Sequence, residues 1–198
     1  MRFSRRAVLR MGGALGLTSA LAPTLAAPAL AMPAPAAPSI VGMKELTART
    51  LSFDCCNTGD RLKNITYWAN GRYIPDALAR INYALRDYRS GDVFPIEPRV
   101  LDLLHQLGRT LETNCRFELY SGYRSPKTNA MLRRNDPEVS SHSLHMKGEA
   151  VDITLPGRSV RKLRDAALAM QMGGVGYYPD AAFVHVDVGR VRRWVGFG

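Results

Sequence analysis

The amino-acid sequence predicts an α+β domain, a mainly antiparallel sheet with helices packed on it. Strand-like and helix-like segments come in runs instead of a regular strand–helix alternation, which argues against a doubly wound parallel sheet. The last two strand-like segments lie close enough in sequence to pair as a hairpin. Hydrophobic residues make up 46% of the 198 residues and charged residues 22%, so a packed core is available and global disorder is disfavoured.

Taken in order, residues 50–54 and 65–68 read as the first strands, with Asn57-Thr58-Gly59-Asp60 supplying turn chemistry between them and Asn70-Gly71 closing the next bend. Pro75-Asp76 opens a helix whose apolar positions Leu78, Ile81, Ala84 and Leu85 recur at helical spacing up to Tyr88. Glu97-Pro98 opens a second, with Val100, Leu101, Leu104, Leu107 and Leu111 on its apolar side. Residues 117–120 form a short strand that runs into Ser121-Gly122-Tyr123-Arg124, and Ser125-Pro126 starts a short helix through Leu132. Residues 134–144 are polar and aperiodic, long enough to suspect a functional loop. A strand follows over 149–155, then a helix capped by Ser159 and ended by Gly173-Gly174, then strands over 175–178 and 183–188.

The start of the chain reads as an address. Residues 1–31 carry Arg2, Arg5, Arg6 and Arg10 with no acid, then a mildly apolar stretch ending Ala29-Leu30-Ala31. That order is a secretory signal, and the paired Arg5-Arg6 followed by Val8-Leu9 resembles a twin-arginine signal, which implies the twin-arginine export machinery as a partner. Residues 32–44 alternate proline with alanine as an extended spacer, and residues 45–198 form the folded domain. Removing the four leader arginines reduces the net charge from +10 to +6. A moderately basic exported domain suits a polyanionic envelope partner, and the sequence shows no clustered Lys/Arg stripe with aromatics of the kind that binds nucleic acid. No apolar run after residue 31 reaches the ~18 residues of a membrane span. Cys55, Cys56 and Cys115 fit either one disulfide through Cys115 or three small buried hydrophobes.

Two segments carry the candidate chemistry. In Ser143-Leu144-His145-Met146-Lys147-Gly148-Glu149-Ala150-Val151-Asp152, Gly148 permits a sharp bend that can return His145 towards the half-buried Asp152. A cation between them is one reading, and a solvated strand edge with a surface histidine is the other. In Phe183-Val184-His185-Val186-Asp187-Val188, alternation places His185 and Asp187 on one face, about 7 Å apart along the strand. They read as a buried ion pair or as a metal ligand with its neighbour. Together the segments offer His145, Asp152 and His185, a three-ligand set that suits Zn2+ with a fourth position for water. His105 reads as structural, and His142 is the substitute ligand three residues before His145.

These residues carry a resemblance. The decad from Ser143 to Asp152 matches the S-x-H-x-x-G-x-A-x-D signature of the zinc D-Ala-D-Ala peptidase superfamily, which includes the hedgehog signalling domain. Ser121-Gly122-Tyr123-Arg124-Ser125 resembles the segment that precedes it. Gly173-Gly174-Val175-Gly176-Tyr177-Tyr178-Pro179, with Phe183 to Asp187 and with Thr66-Tyr67-Trp68, resembles the narrower YcbK (MepK) branch of murein endopeptidases. The resemblance implies a hedgehog/DD-peptidase-like fold and a zinc metallopeptidase that hydrolyses peptidoglycan stem-peptide cross-links in the periplasm or cell envelope. It implies His145, Asp152 and His185 as ligands, with Tyr123 and Arg124 at the substrate and Arg124 also steadying the oxyanion. Many superfamily members carry a carboxylate three residues before the last ligand; here that residue is Ala182. Asp187 is then the first candidate for general base, with Asp180 and Glu149 behind it. The missing carboxylate also leaves a non-catalytic zinc-stabilised peptidoglycan-binding module, or a D,D-carboxypeptidase, as alternatives.

Overall fold

The computed structural model describes residues 48–137 and 139–196. The expected signal (1–31) and spacer (32–44) lie outside the described residues. The strands are β1 (Ala48–Cys55), β2 (Arg61–Ala69), β3 (Arg72–Tyr73), β4 (Arg116–Ser121), β5 (Ala150–Thr154), β6 (Gly174–Tyr178), β7 (Phe183–Asp187) and β8 (Arg192–Val195). The helices are α1 (Pro75–Ala84), α2 (Pro98–Thr110), α3 (Pro126–Asn135) and α4 (Val160–Met170), and a 3-10 turn spans Leu144–Lys147. Among the described residues the strands form one sheet in the order β3-β2-β1-β4-β5-β7-β6-β8. Only β1–β4 and β6–β8 pair in parallel, so the sheet is mixed but mostly antiparallel, as the sequence predicts.

Helices α1, α2 and α4 pack against one face of the sheet. Their apolar stripes meet the inward residues of the strands in a core that includes Leu51, Phe53, Leu104, Phe117, Ile153, Leu163 and Val184. Because strand side chains alternate, burying Ile153 and Val184 on the helix side turns their neighbours Asp152 and His185 to the opposite face. The antiparallel register then sets Asp152 directly across from His185 and Ile153 across from Val184. The expected β6–β7 hairpin forms, with Tyr178 opposite Phe183.

Three differences from the sequence expectation have local causes. Helix α1 stops at Ala84 instead of reaching Tyr88, because Asp87 offers the backbone another partner. Its Oδ1 accepts from the amides of Arg89 (2.9 Å) and Ser90 (3.4 Å), which turns the chain out of the helix. Strands β3 and β8 are too short to show alternation, and β8 owes its place to parallel pairing with β6. Finally, all three cysteines are free. Cys55 and Cys115 are buried with their thiols donating to the carbonyls of Ala84 and His105, so the reading as small buried residues holds for both, while Cys56 is exposed.

Asp87 also ties this turn to the segment after β4. Its Oδ2 accepts from the amide of Ser125 at 2.9 Å, and Ser125 caps α3 by accepting from the amide of Thr128. Burial alone would raise the Asp87 carboxyl, but hydrogen bonds from Thr128 and Ser125 and from the amides of Ser125 and Arg89 hold it well below the usual carboxylate range. A carboxylate depressed in the folded state adds stability above its unfolded pKa of ~4 and loses it as pH falls below that value. Asp87→Asn should therefore cost about 1.5–3 kcal/mol at pH 7, the range for hydrogen bonds to a charged group. Urea titrations of both proteins should show that difference narrowing below pH ~4.

Candidate metal centre

The site forms where the 3-10 turn, β5 and β7 meet. Gly148 ends the turn in the left-handed region (φ 66°), and a Cβ there would lie 2.2 Å from the carbonyl oxygen of Pro95, so the position demands glycine. This bend folds His145 back beside Asp152, as the motif spacing predicts. One atom from each of His145, Asp152 and His185 lies within 4.8 Å of the others, and all three side chains are buried.

The hydrogen bonds fix which atoms face each other. His145 Nδ1 lies 2.7 Å from the carbonyl oxygen of Gly122, which can only accept, so Nδ1 carries the proton and Nε2 presents a lone pair. His185 Nε2 lies 3.1 Å from Asp187 Oδ2, so a neutral ring that donates there leaves Nδ1 as the second lone pair. Nδ1 of His185 is 3.1 Å from Nε2 of His145 and 2.9 Å from Asp152 Oδ1, and Asp152 Oδ1 is 3.3 Å from His145 Nε2. Three acceptors thus converge while both ring protons are committed outward. Two neutral imidazoles and a carboxylate arranged this way fit a divalent cation such as zinc.

The electrostatics agree. Burial would raise Asp152, but His145 and His185 hold its carboxyl far below the usual range. Burial pushes His145 down, against the pull of Asp152, and so favours its neutral form. Burial pushes His185 down too, yet the Asp152 and Asp187 carboxylates on its two edges outweigh it and raise the imidazole. That raised imidazole favours a second proton on His185 Nδ1, between His145 Nε2 and Asp152 Oδ1, the place a bound cation would take instead.

The cluster opens into a cleft of about 460 Å³. Its lining includes the polar groups of Asp136, Ser140 and His142 and the aromatic rings of Tyr178, Phe183 and Trp194. Tyr178 stacks on Phe183 at 4.4 Å, and its hydroxyl accepts from Trp194 Nε1 at 3.0 Å. Arg124 also lines the cleft, with Nη2 3.8 Å from Asp152 Oδ2. Its Nε is buried with no hydrogen-bond partner among the described residues.

Other expected residues lie elsewhere. Asp187 shares the face of His185, but its carboxylate is fully buried and meets the ring edge turned away from His145 and Asp152. It also accepts from the amides of Gly174 and Gly189 and from Arg192, so it is placed to hold His185 and not to face the cleft as a proton acceptor. Asp180 and Glu149 are not among the cleft-lining residues. Tyr123 is turned onto Phe94 (centroids 4.8 Å apart) and does not line the cleft either. His142 does, but it is exposed and stands outside the cluster. His105 sits in α2, away from the site. Sequence reasoning missed Arg192 and Trp194, for which the only signal was a basic-aromatic run close to the end of the chain.

A mixed sheet presenting two histidines and an aspartate at the floor of an open cleft defines a class of protein, the metal-dependent hydrolases with a single-ion centre. Comparison with known proteins narrows it. The family model described as "Peptidoglycan L,D-endopeptidase MepK" matches residues 44–194. The chain is 38% identical to the peptidoglycan L,D-endopeptidase MepK of Escherichia coli (strain K12) over 191 residues, covering 96% of this chain and 97% of that one. It is 38% identical to the probable peptidoglycan L,D-endopeptidase MepK of Haemophilus influenzae over 149 residues, covering 75% of this chain and 80% of that one. The chain belongs to the peptidoglycan L,D-endopeptidase MepK family.

Replacing His145, Asp152 or His185 with alanine should each abolish tight zinc binding, whereas His105→Ala should leave it intact. Elemental analysis after gel filtration checks this, and stoichiometric zinc in any of the three variants would contradict the ligand set.

Proposed function

We propose that this chain is an exported zinc enzyme that hydrolyses an L,D-peptide bond between peptidoglycan stem peptides, using His145, Asp152 and His185 as ligands and Arg124 as the anion-holding residue. As a member of its family the chain is a peptidase that cleaves peptidoglycan. The observation that carries the finer reading is the outward commitment of both imidazole protons around the buried Asp152. When bound, zinc supplies a Lewis acid that polarises the scissile carbonyl and brings the ionisation of water near neutral pH.

The chain's own residues do the rest. Arg124 lines the cleft, where a guanidinium can hold a substrate carboxylate or the charge that develops on the carbonyl oxygen. The wall of Tyr178, Phe183 and Trp194 limits water around the scissile bond and offers flat apolar surface to the substrate. Asp187 keeps His185 in the tautomer that presents Nδ1. Outside the cluster, Asp136 and His142 also line the cleft.

Export rests on Arg5-Arg6 and on the Ala29-Leu30-Ala31 end of the leader. Among the described residues no helix is long and apolar enough to cross a membrane.

Purified residues 32–198 incubated with cross-linked muropeptide dimers should release monomers whose masses locate the cut at an L,D bond. A chelator should stop the reaction, and zinc should restore it. Products cut at a D,D bond, or turnover that survives chelation, would overturn the reading. A precursor with Arg5 and Arg6 both changed to lysine should accumulate in the cytoplasm on cell fractionation, and unimpaired export would point to the general secretory route.

A further inference from the structure

The last strand, β8, lies at the sheet edge furthest in order from β1, and nothing in the motif that supplies the ligands calls for it. Yet two of its four residues reach the metal centre. Arg192 sends Nη1 to Asp187 Oδ1 at 3.0 Å and Nη2 to Asp187 Oδ2 at 2.7 Å, a two-point grip on a fully buried carboxylate. The amides of Gly174 and Gly189, each at 2.9 Å, complete the donors on Oδ1, and His185 Nε2 completes those on Oδ2. With its other acceptor sites filled, Asp187 offers the ring one lone pair in one direction. Trp194 closes the arrangement from the side. Its indole lies 5.1 Å from the His185 ring and 4.9 Å from the Arg192 guanidinium, and it is pinned by donation to Tyr178.

The strand beneath is cut away to make room. A Cβ at Gly174 would fall 2.3 Å from Arg192 Nη1 and 2.4 Å from Asp187 Oδ2, and one at Gly176 would fall 2.6 Å from the Trp194 ring. Two glycines in a strand weaken it, so a packing need of this kind accounts for them. The glycines, the guanidinium and the indole form one fitted unit whose contacts end on the far edge of His185.

We infer that Arg192 is a positioning residue of the metal centre: gripping Asp187 at both oxygens, with Trp194 packed against guanidinium and imidazole, it fixes the ring orientation and tautomer that present His185 Nδ1 to the ion. Arg192 touches no ligand atom and acts through Asp187. Lysine cannot replace it, because an ammonium is a point charge and cannot bridge two carboxylate oxygens in a plane. This inference rests on the reading of His185 as a zinc ligand, and the test separates the two.

The mature chain, residues 32–198, is prepared as the parent and as Arg192→Gln, Arg192→Lys and Arg193→Gln, the last removing an exposed charge from the same strand. Zinc dissociation constants come from competition with a chromophoric chelator, and the cobalt(II)-loaded proteins supply absorption spectra. Loss of a partner that orients a metal-bound histidine weakens metal binding about 10–100-fold, so Arg192→Gln should fall in that range with altered cobalt bands. Arg192→Lys should be intermediate, and Arg193→Gln should match the parent. In turnover, Arg192→Gln should lower kcat far more than it changes KM. Arg192→Gln with parental zinc affinity and an unchanged cobalt spectrum overturns the inference. Should Arg192→Gln not fold, Arg192→Lys decides, because parental affinity in that variant removes the need for a two-point grip. A parent that binds no zinc would instead overturn the ligand assignment itself.

Discussion

Everything in this site depends on where two imidazole protons go. When His145 gives its proton to the Gly122 carbonyl and a neutral His185 gives its one proton to Asp187, neither ring has a hydrogen left for the other or for Asp152. Three lone pairs then face one another across about 3 Å in a buried setting. In water such groups would turn away from each other; here the sheet and the 3-10 turn prevent it. A cation resolves the repulsion, and the protein has spent two strands and a glycine bend on keeping that solution in place.

The scaffold makes this possible through register. Asp152 and His185 are direct partners in the β5–β7 ladder, so their separation is set by backbone pairing and not by side-chain choice. On the reverse of the same strands, Val151, Ile153, Val184 and Val186 are almost wholly buried. Sliding β7 by one residue would expose those valines and bury the histidine in the core, so the hydrophobic effect that stabilises the sheet also fixes the site. Truncating one member of a buried charged set typically costs about 3–5 kcal/mol. The centre is therefore a stability liability unless it is fully furnished, which is why Asp187 is fully buried with five donors around it.

Much of this was legible in the sequence. The spacing of His145, Gly148 and Asp152 gave the bend, and alternation in residues 183–188 gave the shared face of His185 and Asp187. What alternation could not give is which edge of a ring its neighbour meets. That edge separates a proton acceptor in the cleft from a group behind the ligand, and it is decided by Arg192 and by two backbone amides remote in sequence. The orientation of Tyr123 was hidden for a similar reason. Its neighbour Arg124 does line the cleft, but the ring of Tyr123 follows Phe94 in the 85–97 segment, whose turn is governed by Asp87. The short strands β3 and β8 carry no periodic signal and exist because a neighbour's free edge was available.

The turn between β6 and β7 decides which side chain reaches the cleft from that hairpin. Ala182 adopts φ 56°, in the left-handed region, with its amide donating to Pro179. Ala182 does not line the cleft. Phe183, the next residue, takes the cleft position and stacks between Tyr120 and Tyr178. The turn thus presents an apolar ring to the cleft at Phe183. Asn129 Nδ2 donates to the carbonyl of Ser140, another residue of the cleft lining, so helix α3 anchors that part of the site as the β6–β7 hairpin anchors the aromatic part.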